Sequence, residues 1–155
     1  MEYKDLKEDL PKRTIDILEN YEGEYNVTLL INCLTALLIL PRERFFNKIP
    51  DEEIQNLQGW GLTKEHLIEV RCGSCGYNLR NIARNMRNAV AHMSIDVTSN
   101  NERQIDKVRF EDKRSKFVLE IPVADLKTFV IKLAQSVIEC PKLSSQKSFV
   151  PSVAN

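Results

Sequence analysis

Residues 77–93 read Tyr-Asn-Leu-Arg-Asn-Ile-Ala-Arg-Asn-Met-Arg-Asn-Ala-Val-Ala-His-Met, and their periodicity decides the fold. No proline or glycine interrupts the run. At about 100° per residue, Leu79, Ile82, Ala83, Met86, Ala89, Val90 and Met93 share one side, which the spacing assigns to a core. The polar side is itself divided. With Arg80 set at zero, Arg84 and Arg87 lie within about 40° of it. Asn81, Asn85, Asn88 and His92 form a second stripe roughly 80–140° away. One helix therefore shows an arginine column beside an asparagine–histidine column.

Outward from this helix, the chain reads as mainly α. Residues 11–40 have helical spacing from Leu10 through Ile15, Ile17, Leu18, Tyr21 and Tyr25, and Gly23 either divides them or is tolerated. The stretch 27–40 is apolar on nearly every side, so it needs cover all round: a central position in a bundle, or a second subunit. Residues 51–57 and 63–70 each suggest a short helix, with Thr63 as N-cap and His66 at the third helical position. Trp60, between two glycines, is expected to plug the bundle surface. Residues 94–101 are rich in turn formers. Residues 104–110 and 116–121 flank the polar loop Glu111-Asp112-Lys113-Arg114-Ser115, which fits one short β-hairpin. Pro122 then opens a last helix whose apolar positions are Leu126, Phe129, Val130, Leu133, Val137 and Ile138. Residues 1–140 read as one domain, and the Ser-rich, apolar-poor residues 141–155 as a disordered tail.

Composition narrows the class. Twenty-two Lys and Arg balance 22 Asp and Glu, for a formal net charge of zero. Any contact with phosphate must then come from a local basic patch. The charged N-terminus lacks the apolar stretch of a secretory signal, and the apolar run 27–40 is shorter than the roughly 20 residues that span a bilayer. A cytoplasmic protein with reduced thiols and no membrane contact is the expectation.

The two columns suit phosphate chemistry. Guanidinium groups bind phosphate oxygens with paired hydrogen bonds and stay charged. An imidazole exchanges protons near neutrality. Arg87 and His92 stand about 140° apart on an ideal helix. They converge if the arginine swings across, if the helix loosens near His92, or if a second subunit supplies one of them. A solvated arginine face and a histidine that caps carbonyls would give the same spacing.

The stretch Arg87-Asn88-Ala89-Val90-Ala91-His92 resembles the signature of the HEPN superfamily (higher eukaryotes and prokaryotes nucleotide-binding domain). There an arginine and a polar residue precede a histidine near the end of a bundle helix. The resemblance covers roughly residues 10–140, and the hairpin before the final helix is similar to a bacterial and plasmid-encoded branch. It implies a HEPN-like helical bundle that forms a homodimer, with two Arg–His pairs lining one cleft. It implies a metal-independent endoribonuclease that leaves 2′,3′-cyclic phosphate ends, often a toxin with an antitoxin partner or a defence effector. His92 would be the general base or acid, Arg87 would stabilise charge on the phosphate, and Asn88 would orient His92 or the phosphate. The helix face adds Arg84 and Arg80 as backbone-binding residues and Asn85 as a further substrate contact. The 2′-hydroxyl would be the nucleophile, so no metal is required and DNA is refused. Other HEPN domains imply the alternative, a non-catalytic nucleotide- or RNA-binding module that dimerises. A structural adaptor held together by the apolar helix is a third reading.

Four further signals carry weaker readings. Cys72-Gly-Ser-Cys75 would offer two thiolates to zinc, but a closed structural site needs four ligands, and neither Cys33 nor Cys140 forms a second pair; no metal or other cofactor is expected. Asn32, on its apolar helix, either fixes packing register by a buried hydrogen bond or supports the cleft residues. His66 reads as an ordinary surface residue, and Asp96 as a turn residue or a partner of His92.

Overall fold

A computed structural model describes residues 6–39, 49–70, 78–102 and 104–138. Gly23 divides the first helical stretch: α1 spans Leu6–Asn20 and α2 spans Asn26–Ile39. Helix α1 carries Pro11 in its interior and buries Pro11, Thr14 and Leu18 on one stripe. Thr14 returns its hydroxyl to the Leu10 carbonyl at 2.8 Å, which removes an otherwise buried unpaired donor. Helix α2 buries Val27, Leu30, Cys33, Leu34, Leu37 and Leu38. Its opposite side, with Thr28, Asn32 and Ile39, is exposed within the single chain. Burial pushes the Cys33 thiol above its usual range.

Helix α3, Leu79–Ala91, buries six of the seven positions expected on its core face. The exception is Met93, which is 86% exposed because the helix stops at Ala91. Helix α4, Val123–Ile138, buries Leu126, Phe129, Val130 and Leu133. It packs on α1, on α2 and on the sheet, while α3 packs on α2 and the sheet. Trp60 lies against Phe129, with ring centroids 6.5 Å apart.

The sheet corrects the expectation of a single short hairpin. Four antiparallel strands are present among the described residues: β1 (Leu67–Glu69), β2 (Ile95–Ser99), β3 (Ile105–Asp112) and β4 (Phe117–Pro122), in the order β1-β4-β3-β2. The expected hairpin is β3–β4, with Phe110 opposite Leu119 and Asp112 opposite Phe117. Strand β2 falls where turn formers suggested a loop. Its side chains from Asp96 to Ser99 are exposed, so the strand is held by backbone pairing with β3 rather than by an apolar pattern. Asp96 is a β2 residue opposite Arg109, not a turn residue.

The short helices expected over 51–57 and 63–70 are also corrected. The first is two successive 3₁₀ turns, Ile54–Asn56 and Gln58–Trp60; the second is one turn, Lys64–His66, that runs directly into β1. Gly61 has φ +72°, and a Cβ there would run into the Asp125 carbonyl, so glycine lets the start of α4 approach. The Cys72–Cys75 pair, Cys140 and the tail 141–155 lie outside the described residues.

Candidate functional site

Both ends of α3 are fastened, and by different partners. At the start, Asn78 accepts from the Asn81 backbone N–H at 2.9 Å and donates to Asp51 at 2.7 Å. Arg80 donates to the Ile49 carbonyl at 3.1 Å and lies 3.9 Å from Asp51. These bonds commit Arg80 to the helix start. It stands about 18 Å along the axis from His92, at 1.5 Å per residue.

At the other end, alternation along β3 sets the geometry. Val108, Phe110 and Asp112 all point inward, so the third member of a core row is a carboxylate, only 7% exposed. A buried carboxylate must find donors. Asp112 takes the Asn88 side-chain amide at 2.9 Å on Oδ2 and the Arg114 backbone N–H at 3.1 Å on Oδ1. The Ser115 hydroxyl donates to the Asp112 carbonyl at 3.3 Å. Burial alone would raise this carboxyl, but hydrogen bonds from Asn88, Ser115 and the backbone N–H groups of Arg114 and Ser115 outweigh it and hold Asp112 below the ordinary aspartate range.

That carboxylate also fixes the orientation of Asn88. A carboxylate only accepts, so the amide nitrogen faces Asp112 and the amide oxygen is left for another donor. Arg87 is that donor, at 3.2 Å from Nη2 to Oδ1. Asn88 is thus a link from Asp112 to Arg87. Its bonds orient the arginine, where the sequence assigned it to His92 or to phosphate.

His92 sits one turn further on. It caps α3 at φ −99° and ψ 8°, its backbone N–H bonded to the Asn88 carbonyl at 3.0 Å. The next residue, Met93, adopts φ +53°, and Ser94 and Met93 return N–H bonds to Ala89 at 2.9 Å and Val90 at 3.1 Å. This is a Schellman ending, in which glycine normally takes the left-handed position. A methionine there is strained by roughly 1–2 kcal/mol. The helix therefore ends abruptly just before His92 and leaves the imidazole exposed, with no hydrogen bond or ion pair among the described residues. Within one chain no hydrogen bond joins Arg87 to His92.

The remaining candidates differ. Arg84 is exposed on α3 and Asn85 half-buried beside it. Asn32 is exposed on α2, so it does not fix register by a buried bond, and no hydrogen bond connects it to α3 among the described residues. Also among the described residues, no three His, Cys, Asp or Glu side chains gather as a group that could hold a metal ion. A cleft of about 490 Å³, lined by residues 24–28 with Gln104 and Ile105, lies at the far end of β3. Ile105 and Asp112 stand seven positions apart, roughly 23 Å of strand.

The comparisons with known proteins bear on this helix. The model of the HEPN pEK499 p136 family matches residues 1–142. This chain belongs to that HEPN family. Comparisons with curated proteins and with solved structures gave no match. No helix of this HEPN chain is long and apolar enough, among the described residues, to cross a membrane. Sequence reasoning missed Asp112 as part of the HEPN motif's surroundings. The signal was available, since an acid two residues after Phe110 on a strand falls on the core side.

Proposed function

We propose that this HEPN domain is a metal-independent endoribonuclease whose cleft is completed by a second copy of the chain. One observation carries the reading: the exposed imidazole of His92 stands at the strained end of the helix whose preceding turn holds Arg87 by way of Asn88 and Asp112. Strain at an exposed position is more often retained where function requires the conformation. In the proposed reaction the ribose 2′-oxygen attacks the adjacent phosphorus and the bond to the 5′-oxygen breaks. One His92 takes the 2′-hydroxyl proton, and its counterpart from the second copy gives a proton to the departing oxygen. Arg87 neutralises the charge that grows on the five-coordinate phosphate. Arg84 and Asn85 would contact neighbouring parts of the strand. Asn32 would support the cleft only across the dimer. A toxin or defence role with an antitoxin partner belongs to the same reading.

A second reading, a non-catalytic RNA- or nucleotide-binding dimer, draws on the exposed His92 imidazole, which makes no hydrogen bond or ion pair among the described residues. The two separate in one assay: RNA is incubated with the protein in excess EDTA, alongside the same strand carrying 2′-deoxyribose throughout. The nuclease reading expects cleavage of RNA only, with 2′,3′-cyclic phosphate ends. Cleavage of the deoxy strand, or binding with no cleavage of any RNA, would remove it.

A further inference from the structure

The charges of the β3–β4 hairpin fall into two groups. On the outward face of the strands they neutralise one another: Lys107 meets Glu120 at 3.2 Å, and Arg109 lies 3.9 Å from both Glu111 and Glu120. In the turn that follows they do not. Lys113, Arg114 and Lys116 are exposed and have no ion pair among the described residues. The adjacent acids are already engaged, Glu111 with Arg109 and Asp112 with Asn88 and Arg114. Like charges held close together repel even in water, and here three fall within four residues.

The turn is also stiff and well placed. The Arg114 N–H bonds the Asp112 side chain at 3.1 Å, the Ser115 hydroxyl bonds the Asp112 carbonyl at 3.3 Å, and Lys116 holds φ +51°. Fixing the backbone that carries the cations lowers the entropy lost when they engage a ligand. The same Asp112 grips Asn88, whose carbonyl receives the His92 N–H. The cationic turn and the end of the motif helix therefore meet at one carboxylate.

From this we infer that the β3–β4 turn is a backbone-binding arm for single-stranded RNA, in which Lys113, Arg114 and Lys116 contact phosphates flanking the one held at Arg87 and His92. The inference rests on the ribonuclease reading for its ligand, and it makes that site one that grips several phosphates rather than one nucleotide. Contacts of this kind position a strand without reading its bases.

The test compares wild type with the triple variant Lys113→Gln, Arg114→Gln, Lys116→Gln, and with Lys127→Gln, Lys132→Gln on exposed positions of α4 as a charge control. Binding of a fluorescent 20-nucleotide RNA is measured against salt, and cleavage is measured on that RNA and on a dinucleotide. Three lost phosphate contacts should flatten the slope of log K against log salt by about 2, at roughly 0.7 per contact for single strands. KM for the long RNA should rise at least about tenfold while kcat on the dinucleotide holds. The control should match wild type. An unchanged slope and KM in the triple variant would overturn the inference. So would capture of an acidic protein through these residues by a wild type that binds no RNA. RNA bound without cleavage, with the slope still flattened in the variant, would uphold the arm and sink the nuclease reading instead.

Discussion

The chain has two histidines, and their surroundings are opposite. His66 lies in the connector before β1. Its Nδ1 accepts the Thr63 N–H at 3.3 Å, its Nε2 faces Asp125 on α4 at 3.6 Å, and its side chain is 13% exposed. Since Nδ1 accepts, the proton of the neutral ring sits on Nε2, toward the carboxylate. Both nitrogens of that imidazole face a partner, one within its own turn and one on α4. His92 ends α3 in the open, beside a methionine in a conformation that favours glycine. A ring with free nitrogens can exchange protons with a substrate; one with both committed cannot do so without loosening its fold. On the proposed ribonuclease reading, the difference makes His92 the candidate for the chemistry and leaves His66 to the fold.

Substitutions at the two sites should separate activity from stability. His92→Ala is expected to lower RNA cleavage by about 10²–10⁴-fold, the usual span for a lost acid or base, with an unchanged melting curve. His66→Ala should do the reverse. It should lose about 1–2 kcal/mol in urea unfolding and retain wild-type cleavage per folded molecule.

Asp112 lies between these extremes, because it both buries charge and orients Arg87. Asp112→Ala leaves the Asn88 amide and the Arg114 N–H without their acceptor, and should cost about 1–3 kcal/mol in unfolding free energy. Replacement by Asn tests the charge itself. The folded carboxyl sits below its ordinary value of 3.8, so its contribution is fully present above that value and is lost as pH falls through the lower folded one. Chemical denaturation should show the stability gap between wild type and Asp112→Asn constant from neutral pH to about 4, then shrinking below it. A gap independent of pH down to about 2 would contradict the hydrogen-bonded carboxylate.

The smallest effect concerns the strain beside His92. Met93→Gly should raise stability by about 1 kcal/mol, roughly 2–4 °C in Tm, by relieving the left-handed methionine. If the strain positions the imidazole, cleavage should fall as stability rises.

Much of this contrast could be read in the sequence, and what could not be read has identifiable causes. The core face of α3 followed from 3.6-residue spacing because six apolar residues outweigh any local ambiguity. Met93 fell out of that face because a Schellman ending was made without the glycine that signals one. Strand β1 was hidden by the helical look of 63–70, since a capped single turn and a full helix begin alike. Strand β2 was hidden because an exposed edge strand carries polar side chains. At the site, Arg87 and His92 were named from a motif, but the link through Asn88 to Asp112 depends on a contact between residues 24 apart in sequence. Asp112 itself was legible only by counting two from Phe110. Arg80 matches the arginine column by angle, and its bonds to Ile49 and Asp51 at the other end of α3 depend on residues about 30 positions away in sequence.

The most direct test of the division between the two histidines is kcat/KM for cleavage of one defined RNA in EDTA by wild type, His92→Ala and His66→Ala, normalised to the folded fraction. The expected result is a drop of at least about 10²-fold for His92→Ala and a value within about twofold of wild type for His66→Ala. Equal cleavage by His92→Ala and wild type would contradict the account.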